Sequence, residues 1–380
     1  MRNRLIFALA ACALLSGCWD RIELEDRAFV ISMGIDKYSE EGQKEEDETY
    51  AFDGEGRPAL LVSMALPDVA AISQGKADEK TIAVKKTAGA SLSGAMSFAC
   101  AVSSKKLFFG HIKSCVFGAE ALADERLMRE ALDALERGRE ISGKVILLSS
   151  REEAADILGA QPAGEPFSGI FISKFYQTNK FGAAASFKQT LEDITKSFAE
   201  TGCALIPEIS LMSDELKIGG LAVMKDYALR GFLDDRQTRG LMFIKGLAAG
   251  TLINSGDTAL RISKNKADTR FYELDGGLCA EIKIKAEGEI EGFIDNGKAL
   301  DENSLDKLSA EFSRIIEDEA GGAALALKDD FDADCLGFSE TLRKYYPGLY
   351  SRYCGSGLNL NSLKVDVYAE LKIRGAGAKA

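Results

Sequence analysis

Asp330, Asp332 and Asp334 alternate through DDFDADCLG, residues 329–337. Carboxylates at that spacing fill positions 1, 3 and 5 of an EF-hand loop, where oxygen ligands hold calcium. The match stops there. The sixth position is Cys335 where a glycine makes the sharp turn, and the twelfth is Thr341 where a glutamate binds bidentately. We expect a solvated acidic turn leading into the helix FSETLRKYY. A Ser-His-Asp nucleophile would have to recruit His111, the single histidine, in FFGHIKS. No G-x-S-x-G elbow presents a serine to it. His111 is expected to be structural, with its ring nitrogens satisfied by neighbours. Zinc would need cysteine or carboxylate ligands beside that one histidine, and none cluster at ligand spacing. Neither a G-x-G-x-x-G nor a G-x-x-x-x-G-K-[ST] stretch is present to cradle nucleotide phosphates. The expectation is no catalytic residue, no metal and no cofactor. Two carboxylates of a surface hydrolase, drawn from anywhere among 59 acidic residues, would leave no signature in spacing.

The residue whose setting does carry chemistry is Cys18. The chain begins MRNR, followed by the apolar run Leu5–Leu15. That run is about half of the roughly 20 residues a helix needs to cross a bilayer. Basic residues, a short apolar core and small residues before a cut site make a secretory signal. Leu15-Ser16-Gly17-Cys18 also matches the bacterial lipobox, in which the cysteine sulfur receives a diacylglyceryl group and becomes the new N-terminus. An ordinary signal peptide with an incidental cysteine is the plainer alternative. One acyl chain binds a membrane reversibly, whereas two hold it stably, at about 0.8 kcal/mol per buried methylene. Residues 1–17 are therefore expected to be a lipoprotein signal peptide, and the rest an ectodomain tethered to membrane lipid at Cys18, outside the cytoplasmic membrane.

Length suggests two or three domains at about 150 residues each. The net charge of −12 argues against nucleic acid as a partner, because phosphate binding needs a basic footprint. It also argues against the ectodomain lying flat on anionic lipid. Cys100, Cys115, Cys203, Cys279, Cys335 and Cys354 remain after processing. They show no C-x-x-C spacing, so metal and thioredoxin-type chemistry lack support. Outside the cytosol they could pair as disulfides. We expect most to stay unpaired, since cysteine also serves as a small buried hydrophobe.

The elements that must carry these residues can be read from periodicity. FVISMGI reads as a buried strand ending at Asp36-Lys37, and PALLVSMALP (58–67) as its return across an acidic loop or hairpin tip at 40–57. The small-residue stretch 88–104 has helical spacing. KLFFGHIKSCVFG (106–118) reads as one strand and 119–137 as one helix with Leu127, Ala131, Leu132 and Leu135 inward. A strand over 141–150, a short helix ending at Gly159, and a helical region over 167–200 broken near Gly182 follow. Residues 218–246 give two strands and a helix from about Asp234. Residues 278–290 alternate, with Leu278, Ala280, Ile282, Ile284 and Ala286 inward, as do 365–375. Between them lies a helix over 304–316 with Leu305, Leu308, Phe312 and Ile315 on one face and Ser304 as its cap. The reading is a mixed α/β, or α+β, multi-domain ectodomain with sheets covered by helices. Its expected parts are an N-terminal α/β domain at 18–200, a middle domain at 201–265 and a C-terminal α+β domain at 266–380. The last should hold an antiparallel sheet with a long helix.

Taken in order, several segments resemble one known family. Cys18-Trp19-Asp20 with Glu23, GIDK at 34–37, FFGHIKS around His111, a Gly-hydrophobic-Lys strand before LDDRQTRG, and DADCLGF before YYPGLY are similar to the Ger(x)C lipoproteins, the C subunits of spore germinant receptors. That family usually has Trp where this chain has Tyr350. The resemblance implies a non-enzymatic, three-domain lipoprotein on the outer face of the spore inner membrane. It would assemble with an integral-membrane A subunit and a permease-like B subunit to trigger germination in response to small nutrients such as amino acids. Whether this subunit itself touches a small-molecule ligand stays open. A solute-binding lipoprotein of a transporter shares the anchor, but needs two similar lobes around a cleft.

Overall fold

The computed structural model describes residues 26–39, 49–51, 59–67, 82–178, 186–213, 215–293, 302–355 and 357–376. Cys18 with its signal segment, most of the acidic stretch 40–57 and the break near Gly182 lie outside the described residues. The chain runs β1 (Arg27–Phe29), β2 (Ser32–Lys37), β3 (Thr49–Ala51), β4 (Leu60–Pro67) and β5 (Ile82–Gly89). Then come α1 (Leu92–Ala101), β6 (Lys106–Phe108), β7 (Ser114–Gly118), α2 (Ala119–Ala123), α3 (Glu125–Arg137) and β8 (Ile146–Ser150). Helices α4 (Ala154–Gly159), α5 (Ser168–Thr178) and α6 (Leu191–Thr201) lead to β9 (Cys203–Met212), β10 (Glu215–Lys225), β11 (Ala228–Leu233) and α7 (Asp235–Ile244). The last part holds β12 (Leu252–Ser255), β13 (Thr258–Leu274), β14 (Gly277–Phe293), α8 (Glu302–Leu325), α9 (Phe338–Tyr345), α10 (Pro347–Tyr353) and β15 (Lys364–Ala376).

A nine-stranded sheet has the order β11-β10-β9-β8-β7-β2-β4-β5-β3. Its centre, β2, β7 and β8, is parallel. Helices cover both faces, which explains why the central strands read as unbroken apolar runs rather than alternating ones. Cys115, Phe117 and Leu147 pack with α1, α3 and α6, whereas Val116 and Leu148 pack with α4 and α5. The helices start where the sequence supplies caps. Asp124 accepts from the Leu127 N–H, and capping boxes at Thr190/Asp193 and Asp234/Gln237 open α6 and α7. Each such cap is worth about 1 kcal/mol.

The second sheet, β12-β13-β14-β15, is antiparallel up to β14, but β15 runs parallel to β14. The antiparallel expectation holds for β12 to β14, and β15 departs from it. A parallel neighbour needs a long crossover, and α8 supplies it. The inward set Leu278, Ala280, Ile282, Ile284 and Ala286 is buried as the alternation predicts.

Other expectations change in detail. Residues 106–118 form two strands, because the chain turns at Phe109–Ile112 to pair first with β1 and then with β2. The helix 119–137 is interrupted at Asp124, whose extended backbone lets its carboxylate cap α3. The helix expected at 304–316 begins at Glu302, so Ser304 sits in its first turn, and it runs through Gly321 and Gly322 into a π-helical turn at Ala326–Asp330. The border expected at 265/266 falls inside β13, where continuous strand pairing leaves no place to divide a domain. The sheet itself continues across 200/201 into β9, β10 and β11.

Candidate functional site

The segments GIDK and FFGHIKS come together on neighbouring strands. In the parallel pairing of β2 with β7, Ser32 stands opposite Ser114 and their hydroxyls meet at 2.9 Å in the core. Just upstream, β1 pairs with β6, setting Phe29 opposite Phe108 and Arg27 opposite Lys106. Along FFGHIK the side chains part: Phe109 and Ile112 are buried in the core, while Phe108 and His111 turn outward. Phe29, Phe108 and His111 form a ring cluster with centroids 5.2–5.8 Å apart. The Arg27 guanidinium lies over the Phe108 ring, 5.5 Å from its centre, an arrangement the ring quadrupole favours. A side chain on Gly110 would collide with the Phe108 ring at 2.7 Å, so the motif's glycine lets that ring fold over the turn. His111 is thus exposed, and what holds it is packing against the Phe29 and Phe108 rings.

This edge is cationic in a chain of −12 net charge. From Ile82 to Gly118 the sequence has five lysines and no aspartate or glutamate. Lys105, Lys106 and Lys113 are exposed, and the Lys85 ammonium donates to the Val102 carbonyl at 2.9 Å where α1 ends. Counting charges by segment would have found this feature. The whole-chain balance concealed it.

Asp36 of GIDK lies at the other end of the strands from His111, so the two form no acid–base pair. Both Asp36 oxygens accept from the Ala154 N–H, at 3.0 and 3.1 Å, which pins the start of α4 to the sheet. Burial raises the Asp36 carboxyl to about 7; Glu153 adds to the rise, and the Ala154 and Ala155 N–H groups and Lys86 oppose it. The folded state therefore keeps a proton that the unfolded chain releases near pH 4. The Asp36 contribution to stability is fully present below pH 4 and is lost as pH rises through about 7. Asp36→Asn should remove this dependence. Between pH 5 and pH 8 the wild type should lose about 2–3 kcal/mol more than the variant. Urea unfolding at both values measures the difference, and equal slopes in the two proteins would show that Asp36 is ionised throughout.

The remaining motif residues hold elements in place. Lys37 pairs with Asp124 at 3.0 Å, an exposed pair of small energetic weight. Asp330, Asp332 and Asp334 diverge. Asp330 and Asp332 are exposed, and the Asp332 carboxylate pairs with Lys225 at 2.6 Å. Asp334 is buried and accepts from the Phe338 and Ser339 N–H groups at 2.7 and 2.9 Å, capping α9. In LDDRQTRG, Thr238 is buried and Arg239 forms an ion pair with Glu319 of α8, its Nε donating at 2.8 Å. Gly240 sits against the α8 backbone at Glu319 and Ala320. These signatures are thus a framework, and what they leave partly exposed is the aromatic and basic edge at β1 and β6.

Two family models match this chain. One described as the spore germination protein N-terminal domain covers residues 20–211, and one described as spore germination B3/GerAC like, C-terminal, covers residues 219–377. Spore germination protein YndF of Bacillus subtilis (strain 168) is 23% identical over 371 residues, spanning 93% of this chain and 91% of that protein. Spore germination protein KC of the same organism is 23% identical over 405 residues, spanning 98% and 95%. The solved structure titled as the crystal structure of the GerBC protein matches with a TM-score of 0.59 at 16% identity, covering 83% of this chain and 93% of that one. At that identity the likeness is one of fold.

Proposed function

The chain belongs to the spore germination GerAC family, and from that premise we propose that it is the non-enzymatic C subunit of a germinant receptor, tethered through acylated Cys18 to the outer face of the spore inner membrane. Its partners on this reading are an integral-membrane A subunit and a permease-like B subunit, and the complex triggers germination in response to small nutrients.

The observation that carries the reading is where the chain enters the fold. Asp26 stands eight residues after Cys18, a reach of at most about 29 Å. A lipid at Cys18 therefore holds the β1–β6 edge near the bilayer. That edge carries Arg27, Lys105 and Lys106 together with Phe29 and Phe108, a composition suited to anionic headgroups and the membrane interface. The overall acidic charge, which argues against contact with lipid, does not describe this edge. Among the described residues no helix is long and apolar enough to cross a membrane. The solute-binding alternative calls for two like lobes, and a nine-stranded mixed sheet beside a four-stranded one supports it poorly.

Purifying the full-length protein from spore membranes in mild detergent tests the assembly. Two integral-membrane proteins should co-purify in constant ratio. Recovery of this protein alone, even after chemical cross-linking in the intact membrane, would refute the receptor assignment.

A further inference from the structure

Two of the scattered cysteines are neighbours in space. Cys203 opens β9, and Cys335 lies in the turn between α8 and α9. The Cys335 thiol points at the Ala204 carbonyl oxygen, 3.8 Å away and 131 residues back along the chain. The Cys203 sulfur in turn faces the Asp334 N–H and the Cys335 thiol. Each cysteine thus addresses the residue beside the other. The surroundings hold this juxtaposition firmly. The Lys245 ammonium donates to the Cys335 carbonyl at 3.1 Å, and the Lys225 ammonium donates to the Asp332 carbonyl at 2.6 Å, so two lysines clamp the turn on either side. Leu205, Leu221, Val223, Leu327 and Ala333 pack around the pair. Cys203 is buried, whereas Cys335 is partly exposed.

We propose that Cys203 and Cys335 are a redox pair that closes to a disulfide, joining the start of β9 to the turn after the long helix. The proposal rests on the extracytoplasmic placement argued above, because that compartment supplies the oxidant, a disulfide donor. Cys335, the accessible member, attacks as its thiolate on one sulfur of the donor; the donor's S–S bond breaks and one donor thiolate leaves. The Cys203 thiolate then attacks the Cys335 sulfur of the mixed disulfide and expels the second donor thiolate. Two protein thiols are oxidised, the donor disulfide is reduced to two thiols, and the two protons released by the protein are taken up by them. In the reduced pair, hydrogen bonding from the Cys335 side chain and the Asp334 N–H lowers the Cys203 pKa; the Asp334 N–H is still in place in the mixed disulfide and supports the Cys203 thiolate there. The Cys203 contact and burial push the Cys335 pKa up and the positive charge of Lys245 only partly opposes them, so the first attack draws on the small thiolate fraction and is the slow step.

The test uses the full chain purified under reducing conditions and then equilibrated with oxidised glutathione. Proteolysis without reduction, followed by mass spectrometry, should give one cross-linked peptide pair, Cys203 with Cys335, and a free-thiol count lower by two. The thermal midpoint should rise by roughly 3–8 °C on oxidation and fall back on reduction. Cys335→Ala should abolish both changes. Glutathione adducts at Cys335 without closure, scrambled pairs, or an unchanged thiol count would overturn the pairing, and these outcomes need no variant to fold. Acid-trapped alkylation of spores separates the two premises. A pair that closes in the purified chain but is reduced in spores overturns the extracytoplasmic placement and upholds the geometry.

Discussion

Gly240→Ala should lower the unfolding free energy by about 2–3 kcal/mol, and Gly321→Ala, on the facing helix, should raise it by up to about 1 kcal/mol. The same chemical change has opposite signs because the two glycines meet different surroundings. A Cβ on Gly240 would run into the carbonyl of Glu319 and lie 2.7 Å from the Ala320 nitrogen. These are backbone atoms of α8, and no rotamer change moves them. The two helices would have to separate, disturbing Leu241, Met242 and Phe243 of α7, all buried. The better helix propensity of alanine returns about 1 kcal/mol, which the collision outweighs. At Gly321 a Cβ meets nothing within 4 Å, so only the propensity gain remains. Denaturant unfolding of both variants measures the contrast. Matching effects of either sign would contradict the close helix crossing.

Cys18→Ala should lower the membrane-bound fraction at least tenfold and abolish the germination response to nutrients. The chemistry behind the size of the effect is the number of acyl chains. On the proposed tether a diacylglyceryl group would hold the protein stably, whereas what would remain without it is the basic edge, worth about 1 kcal/mol per lysine or arginine near an anionic surface and weakened by salt. An uncleaved signal segment could keep some protein at the membrane, so a second variant replaces residues 1–18 with a secretory signal that is cut without lipidation. Fractionation of cells making either protein, with germination scored in parallel, gives the result. Normal germination by a fully released protein would remove the tether from the mechanism.

Much of the architecture was legible because it depends on local period. Leu127, Ala131, Leu132 and Leu135 mark a helix face whatever they pack against, and Leu278 to Ala286 mark a strand face. What escaped depends on partners far along the chain. Nothing local at Gly110 shows that 106–118 must serve two different neighbours. The helix expected to stop at 316 continues as α8 through Gly321 and Gly322, because its buried face, with Phe312, Ile316, Ala320 and Ala323, keeps packing. β5 went unread, since the adjacent half-buried lysines Lys85 and Lys86 break its apolar pattern. The family signatures were visible as words in order, and their physical meaning, caps and close crossings, needed coordinates. The Cys203–Cys335 juxtaposition has no sequence signal at all, because only the fold brings β9 to the turn after α8.

The parallel placement of β15 also sets an order of events. Export and folding proceed from the amino terminus, and domains fold as units. All nine strands of the first sheet have emerged by Leu233, so their pairing can begin while the chain is still being delivered, although Ala323, Leu327 and Ala333 cover β9 and β10 only later. The second sheet lacks its outer strand until residues 364–376 arrive, and α8 lies waiting for the surface that Leu371 and its neighbours provide. The second sheet is thus closed only when β15 pairs with β14, and a chain cut before Lys364 would leave that edge of β14 and the helix packed on it uncovered.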